Sequence, residues 1–144
     1  MTPEQEEALV RRAWEVRERA YAPYSGFRVG AALLTGDGQI FTGCNVENAV
    51  YGATLCAERT AVGQAVAAGQ RDLVAIAVVA ATDALTTPCG ICRQVLAEFG
   101  PRMAVVVDNG KERRRYGLDE LLPDAFSRSH LEDAAGRQVS FTGP

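Results

Sequence analysis

The chain has 144 residues, of which 47% are hydrophobic and 23% are charged, and its formal net charge is −3 at pH 7. A chain of this size can bury a core without disulfides, so one compact domain is expected. The negative charge disfavours polynucleotide partners, because phosphate backbones attract basic surfaces. No apolar run approaches the roughly 20 residues of a membrane span, and the acidic N-terminus is unlike a secretion signal. We therefore predict a cytoplasmic protein without membrane or nucleic-acid partners.

The first residues predict an amphipathic helix and then a β-hairpin. Thr2, Pro3 and Gln5 have the pattern of an N-cap, a first-turn proline and a capping-box partner. This helix is expected to end near residues 21–26. Strands are predicted on both sides of the Gly-Asp-Gly turn at 36–38.

The middle of the chain predicts alternating helices and buried strands. A second helix is expected from about residue 56 to Gly69, and the apolar run 73–81 is typical of a strand covered on both faces. The remaining predicted elements are a third helix ending at Gly100, a buried strand at 103–108, a polar strand at 112–116 and a short helix near 118–126. This order predicts an α/β fold, a three-layer α-β-α sandwich around a mixed five-stranded sheet in which strands three and four are parallel.

Two polar segments lie outside this core pattern. The basic run 111–115 follows a tight turn, and we interpret it as a solvated strand face. Residues 128–144 are polar and aperiodic. We therefore expect a single catalytic domain over residues 1–127, followed by a tail that is mobile or contacts other subunits.

The four cysteines indicate a metal site. In a reducing compartment, clustered cysteines favour metal binding over disulfides. Cys89 and Cys92 form a CxxC motif, Cys56 lies 33 residues upstream, and Cys44 stands alone. Catalytic zinc sites have three protein ligands and an open position for water, whereas structural sites have four. Cys56, Cys89 and Cys92 are predicted to hold one Zn²⁺ per subunit, and the alternative is a closed structural site that includes Cys44.

Two residues beside Cys56 favour the catalytic alternative. Glu58 follows Cys56 by two positions, so its carboxylate can reach the open coordination position and move protons there. Arg59 lies on the same helical face as Cys56, where it can donate hydrogen bonds to thiolates and offset their charge. The ordinary alternatives are a first-turn carboxylate that interacts with the helix dipole, and a surface ion pair for Arg59.

These motifs together resemble the small homotetrameric zinc-dependent cytidine deaminases. The resemblance extends from about residue 7 to residue 127, and its motifs are FRVGAALL, GCNVENAVYG, CAE, PCGIC and LLPDAF. Cys56 stands where many zinc deaminases have a histidine, which is similar to the all-cysteine branch of the family.

The resemblance implies hydrolytic deamination of cytidine and 2′-deoxycytidine to uridine and 2′-deoxyuridine, with release of ammonia. Zinc-bound hydroxide would add to C4 of the base while Glu58 protonates N3 and then passes a proton to the ammonia. The resemblance also implies that Phe27 packs against the base, that the Ala57 backbone contacts the base, and that Asn45 and Glu47 bind the ribose 3′-hydroxyl. It further implies that three residues reach the site of a neighbouring subunit: Ala49, Tyr51 and Phe126. An ionised Glu47 would also repel a phosphate, which favours nucleosides over nucleotides.

Several alternatives remain open from the sequence. The substrate can be a related aminated nucleoside such as blasticidin S or a base in a polynucleotide, or the chain can be a non-catalytic structural zinc module. Asn45 and Glu47 can form a turn-stabilising pair at a strand end. Tyr51 and Phe126 can be core residues, and Cys44 is interpreted as a buried free thiol.

Overall fold

A computed structural model describes residues 1–136 of the chain. Its helices are α1 (Pro3–Arg17), α2 (Ala57–Ala67), α3 (Gly90–Phe99), α4 (Leu118–Leu121) and α5 (Arg128–Ala135), and a short 3-10 turn occupies Tyr51–Ala53. Its strands are β1 (Val29–Thr35), β2 (Ile40–Cys44), β3 (Leu73–Ala80), β4 (Ala104–Asp108) and β5 (Arg113–Gly117).

Helix α1 begins as the sequence predicts. The Thr2 side chain accepts a hydrogen bond from the Gln5 backbone, and the Gln5 side chain accepts one from the Thr2 backbone. This capping box satisfies two of the backbone donors at the helix start. The helix ends at Arg17, several residues before the predicted end.

Within residues 1–136, five strands form one mixed sheet in the order β2-β1-β3-β4-β5. Strand β1 is antiparallel to both β2 and β3, and β5 is antiparallel to β4. Strands β3 and β4 are parallel, with Ala77 opposite Val106. Every residue of β3 except Val74 is buried, which confirms the prediction of a central strand covered on both faces.

Helices cover both faces of this sheet and confirm the three-layer prediction. On one face, α1 contributes Leu9 and Ala13 to a cluster with β1, β3 and β4. On the other face, Ala61 of α2 and Leu96 of α3 pack against the same sheet, together with Leu118 at the start of α4. The core therefore lies in two layers, and the ends of α2 and α3 are held against one face of the sheet.

Two glycines let the helices approach the sheet closely. A Cβ atom on Gly30 of β1 would lie 2.0 Å from the Ala13 carbonyl oxygen of α1. A Cβ atom on Gly43 of β2 would lie 2.5 Å from the Ala57 carbonyl oxygen and 2.4 Å from the Ala61 nitrogen of α2. Only glycine fits at such distances, so Gly43 fixes how near the first turn of α2 lies to β2.

The basic run 111–115 lies on an exposed edge of the sheet. In β5, Arg113 forms ion pairs with Glu7 and Asp108, and Arg115 pairs with Glu6. The acidic residues of α1 and β4 therefore compensate much of this basic charge within the chain itself.

The segment after residue 127 differs from the expected aperiodic tail, because it forms helix α5 up to Ala135. The Ser127 backbone N–H donates to His130 Nδ1 at 3.1 Å, and the His130 ring stacks on Phe126 with centroids 5.5 Å apart. This local capping starts the helix without an apolar periodicity. The remainder of the predicted tail, residues 137–144, lies outside the described residues. Over residues 1–136, no helix is both long and apolar enough to span a membrane.

Candidate metal centre and substrate cavity

Three cysteine sulfurs meet where the N-termini of α2 and α3 lie side by side. Cys56 is the N-cap residue of α2, Cys89 is the N-cap residue of α3, and Cys92 lies in the first turn of α3. Their sulfur atoms all lie within 4.8 Å of one another, and those of Cys56 and Cys89 are 3.9 Å apart. The two helix dipoles direct partial positive charge toward this cluster, which stabilises thiolates.

The donor set fits a zinc ion. Zinc–thiolate bonds of about 2.3 Å in a tetrahedral arrangement place sulfurs roughly 3.8 Å apart, close to the 3.9 Å between Cys56 and Cys89. Soft thiolate ligands favour zinc over magnesium or calcium. Cys44 lies outside the cluster and is a half-buried free thiol whose pKa is raised by burial. Three cysteines can therefore hold a metal ion, with one coordination position left for another ligand.

One proton is shared unequally between two of the thiols. The hydrogen bond from the Cys92 thiol, reinforced by Arg59, lowers the pKa of Cys56 to about 5. The same hydrogen bond, together with burial, raises the pKa of Cys92. Of these two thiols, Cys56 is therefore the one that ionises more readily, and Cys92 is the one that keeps its proton more firmly. A bound metal ion would displace that proton, since thiolates are the metal-binding form.

The Arg59 side chain is directed at the Cys56 thiolate. Its Nη2 atom donates to the Cys56 sulfur at 3.7 Å and to the Thr54 carbonyl oxygen at 3.0 Å. Its Nε atom is buried without a hydrogen-bond partner in the described part of the chain. The guanidinium thus places a fixed positive charge beside the cysteines, where it offsets thiolate charge.

Glu58 is a buried carboxyl group beside the sulfur cluster. It lies in the first turn of α2 and is only 4% exposed. Burial raises the pKa of Glu58, and the nearby charge of Cys56 raises it further. A carboxyl group with a raised pKa takes up a proton more readily than an ordinary one, which suits a general acid and base.

A cavity of about 230 Å³ opens in front of Glu58 and the cysteines. The predicted substrate residues that line it are Phe27, Asn45, Glu47 and Ala57. Cys56, Cys89 and Glu58 form its inner end. Base-contacting, sugar-contacting and metal-binding residues predicted from separate motifs therefore face one space.

The other predicted substrate residues lie outside this cavity. Ala49 is exposed, and the side chains of Tyr51 and Phe126 are 76% and 59% exposed. The alternative that these two aromatic residues belong to the core is therefore wrong. A single chain does not bring any of the three to its own metal centre.

Asn45 and Glu47 both bind the backbone between α1 and β1. Asn45 Oδ1 accepts from the Val29 N–H at 2.9 Å, and Asn45 Nδ2 donates to the Phe27 carbonyl oxygen at 2.7 Å. Glu47 Oε1 accepts from the Tyr24 and Ser25 N–H groups at 2.9 and 3.1 Å. The strand-end role that the sequence left open is therefore present for both residues. Each side chain also retains hydrogen-bonding capacity toward the cavity.

Arg93 is a residue of the site that the sequence did not single out. Its guanidinium donates to the Pro88 carbonyl oxygen at 2.6 Å, to Thr87 Oγ1 at 2.8 Å and to the Leu121 carbonyl oxygen at 2.6 Å. It therefore fixes the loop that carries Cys89 and ties that loop to α4. An arginine directly after the second cysteine of the CxxC motif was the available signal, but its partner Leu121 comes from a distant part of the chain.

Comparison with known proteins places the chain in a family. The model of the cytidine and deoxycytidylate deaminase zinc-binding region matches residues 3–108. The chain is 49% identical over 127 residues to a cytidine deaminase of Halalkalibacterium halodurans, covering 87% of this chain and 96% of the relative. It is 50% identical over 131 residues to a cytidine deaminase of Sporosarcina psychrophila, covering 90% and 96%.

Solved structures agree with this assignment. The crystal structure of a cytidine deaminase from Burkholderia pseudomallei has a TM-score of 0.82 and 53% sequence identity, and it covers 88% of this chain and 100% of that one. The fold and the three-cysteine site are those of a zinc-binding deaminase. The chain belongs to the cytidine and deoxycytidylate deaminase family.

Proposed function

We propose that the protein hydrolyses cytidine and 2′-deoxycytidine to uridine and 2′-deoxyuridine and releases ammonia. The observation that carries this proposal is the buried Glu58, which lies beside three clustered cysteine sulfurs at the inner end of a cavity. Relatives at about 50% identity over most of the chain are cytidine deaminases. In the reaction, water adds to C4 of the base, and the bond between C4 and the exocyclic nitrogen breaks.

Cys56, Cys89 and Cys92 would hold the zinc ion. When bound, zinc supplies a Lewis acid that makes a water molecule nucleophilic near neutral pH. Arg59 reduces the electron donation of the thiolates by donating a hydrogen bond to the Cys56 sulfur. This matters because three thiolates around a divalent ion leave a net negative site, which weakens the Lewis acid.

Glu58 moves the protons of the reaction. Its carboxylate accepts a proton from the attacking water and delivers it to N3 of the ring. It then takes the proton of the hydroxyl group added at C4 and delivers it to the amino group, which leaves as ammonia while the C4 carbonyl forms. Its burial supports this role, because burial raises the pKa of Glu58 and so makes its carboxylate a better proton acceptor.

The sugar end of the cavity favours nucleosides. Phe27 packs against the base, the Ala57 backbone contacts its edge, and Asn45 and Glu47 bind the ribose 3′-hydroxyl. The hydrogen bond from Ser25 lowers the pKa of Glu47, so this carboxylate is ionised at neutral pH. An ionised carboxylate accepts a hydrogen bond from a hydroxyl and repels a phosphate.

We propose that the enzyme is a homotetramer with shared active sites. Ala49, Tyr51 and Phe126 would reach the cavity of a neighbouring subunit. The exposure of two large aromatic side chains on one chain supports this arrangement, since such residues are enriched at protein interfaces.

The proposed function is tested by mixing zinc-loaded protein with cytidine, 2′-deoxycytidine, CMP and blasticidin S and measuring the ultraviolet absorbance and the released ammonia. We expect turnover of both nucleosides and at least tenfold lower kcat/KM for CMP, because the ionised Glu47 at the sugar end of the cavity disfavours a further negative charge on the sugar. No ammonia from either nucleoside would contradict the proposal. If the protein turned over CMP or blasticidin S in preference to the nucleosides, that compound would replace cytidine and 2′-deoxycytidine as the proposed substrate.

A further inference from the structure

Ser25 links two residues of the substrate cavity through one hydroxyl group. It lies in the connection between α1 and β1. Its Oγ atom donates to Glu47 Oε2 and accepts from the Phe27 N–H at 3.0 Å. A serine hydroxyl has a single proton, so accepting from Phe27 leaves that proton free for Glu47.

The two oxygens of Glu47 are held differently. Oε1 accepts two backbone hydrogen bonds, from Tyr24 at 2.9 Å and Ser25 at 3.1 Å, which use both of its lone pairs. Oε2 accepts from the Ser25 hydroxyl and keeps one lone pair. Oε2 is therefore the oxygen that can accept from a substrate hydroxyl. Ser25 is the side chain that fixes its direction.

The same serine relates the sugar end of the cavity to its base end. Phe27 and Glu47 both line the cavity, and Ser25 is hydrogen-bonded to each of them. A displacement of the Ser25 hydroxyl would change where Oε2 lies relative to the Phe27 backbone. Such a change alters the recognition of the sugar but leaves the sulfur cluster and Glu58 in place.

We propose that Ser25 is a positioning residue that sets the specificity of this enzyme for nucleosides with a sugar 3′-hydroxyl. The proposal rests on the proposed function, in which Glu47 binds that hydroxyl. Ser25 acts through Glu47 and does not itself contact the substrate. It therefore contributes much more to the binding of substrates that carry the hydroxyl than to the binding of those that lack it.

The test compares wild-type protein and Ser25→Ala on cytidine, 2′-deoxycytidine and 2′,3′-dideoxycytidine. We expect Ser25→Ala to lose about tenfold in kcat/KM on the first two substrates, mainly through KM, as for a lost hydrogen bond to a charged group. On 2′,3′-dideoxycytidine the change should be less than about twofold. A merely structural serine would lower kcat/KM for all three substrates equally.

Two further variants serve as controls. Ser25→Thr keeps the hydroxyl and should retain the wild-type preference for cytidine over 2′,3′-dideoxycytidine. Ser25→Cys keeps the shape of the side chain but has only a weak hydrogen-bond donor, so it should lose much of that preference. It serves in place of Ser25→Ala if Ser25→Ala does not fold. Equal losses on all substrates, or none on cytidine, would overturn the role of Ser25. A wild-type protein that deaminates no nucleoside would instead overturn the proposed function and this inference with it.

Discussion

Cys56, Glu58 and Arg59 bring three different chemical groups to one place within four consecutive residues. The Cys56 thiolate belongs to the metal-binding cluster, the Glu58 carboxyl is buried beside it, and the Arg59 guanidinium donates to the same sulfur. The start of α2 places them together. Cys56 is the N-cap residue and Glu58 and Arg59 lie in the first turn, so all three side chains lie around the same helix end. Their roles are separable, since Cys56 belongs to the metal-binding cluster and Glu58 and Arg59 do not.

Replacing Glu58 separates proton transfer from metal binding. Glu58→Gln keeps the size and burial of the side chain but cannot take up a proton. We expect it to retain one zinc ion per chain and to release ammonia from cytidine about 10²–10⁴-fold more slowly, the usual contribution of a general acid and base. Zinc content is measured by atomic emission, and turnover by ammonia release.

The exposed Glu98 of α3 provides the matched control for this substitution. Glu98→Gln changes the same functional group on the other helix that carries metal ligands, and it should leave both zinc content and turnover unchanged. Wild-type turnover in Glu58→Gln would remove the proton-transfer role. Loss of zinc from Glu58→Gln would indicate that the carboxylate is itself a ligand.

The sequence identified the side chains that carry the chemistry better than those that position them. Cys89 and Cys92 stand at the CxxC spacing typical of zinc ligands, and Glu58 follows Cys56 by two positions, so local pattern was sufficient to single them out. The hydroxyl of Ser25 and the guanidinium of Arg93 act on groups that tertiary folding brings to them. No spacing along the chain encodes those contacts.

At the scale of elements, α1 is joined to β4 and β5 through Asp108. Its Oδ1 accepts from Trp14 Nε1 at 3.0 Å and from the Gly110 N–H at 2.8 Å, and its Oδ2 accepts from Arg113 Nε at 3.0 Å. Burial raises the pKa of Asp108, but these donors, Arg113 foremost, outweigh it and lower the pKa overall. The carboxylate therefore holds the outer helix layer to the sheet edge.

Asp108→Asn should destabilise the fold in a pH-dependent way. The substitution removes the charge and places an amide donor opposite Arg113 Nε, so we expect a loss of about 2 kcal/mol in the free energy of unfolding at pH 7. The folded pKa of Asp108 lies below its ordinary value, so its stabilisation is present above that value and lost as pH falls through the folded pKa.

Urea unfolding of wild-type protein and Asp108→Asn from about pH 7 down to about pH 3 measures this effect. The difference between the two proteins should shrink toward the acid end. The exposed Asp133 of α5 offers a control, because Asp133→Asn should match wild type throughout. A difference that stays constant in acid would show that the charge of Asp108 is not its cause.

The sequence predicted most elements because their signals are local. The capping box at Thr2 and the apolar run of β3 specify their own structure. Helix α5 lies in a polar segment that was predicted to be aperiodic, and the contacts of His130 with Ser127 and Phe126 lie at its start. The close approach of α2 to Gly43 is likewise a tertiary feature that no local pattern reveals.

At the scale of the whole molecule, the exposed aromatic residues bear on the proposal that neighbouring subunits complete each other's sites. Tyr51 and Phe126 lie outside the cavity that Glu58 and the cysteines close. Tyr24 contacts Tyr51 edge to face with ring centroids 6.0 Å apart, so the exposed Tyr51 has an aromatic neighbour within the chain. A second chain is the partner that the homotetramer proposal gives to this surface.

The assembly is tested by light scattering and by dilution. We expect the mass of four 15.4 kDa chains in solution. Phe126→Ala should lower turnover at least tenfold while each chain keeps its zinc ion, because the side chain acts in a neighbour's site. A fully active monomer, or full turnover by Phe126→Ala, would contradict the shared-site proposal.

The most direct test of the central claim is X-ray absorption at the zinc edge of the zinc-loaded protein. Three cysteines with an open fourth position predict three sulfur ligands at about 2.3 Å and one oxygen or nitrogen ligand. Four sulfur ligands would mean that Cys44 closes the site. Such a site would have no place for water beside Glu58, and the deaminase mechanism would be wrong.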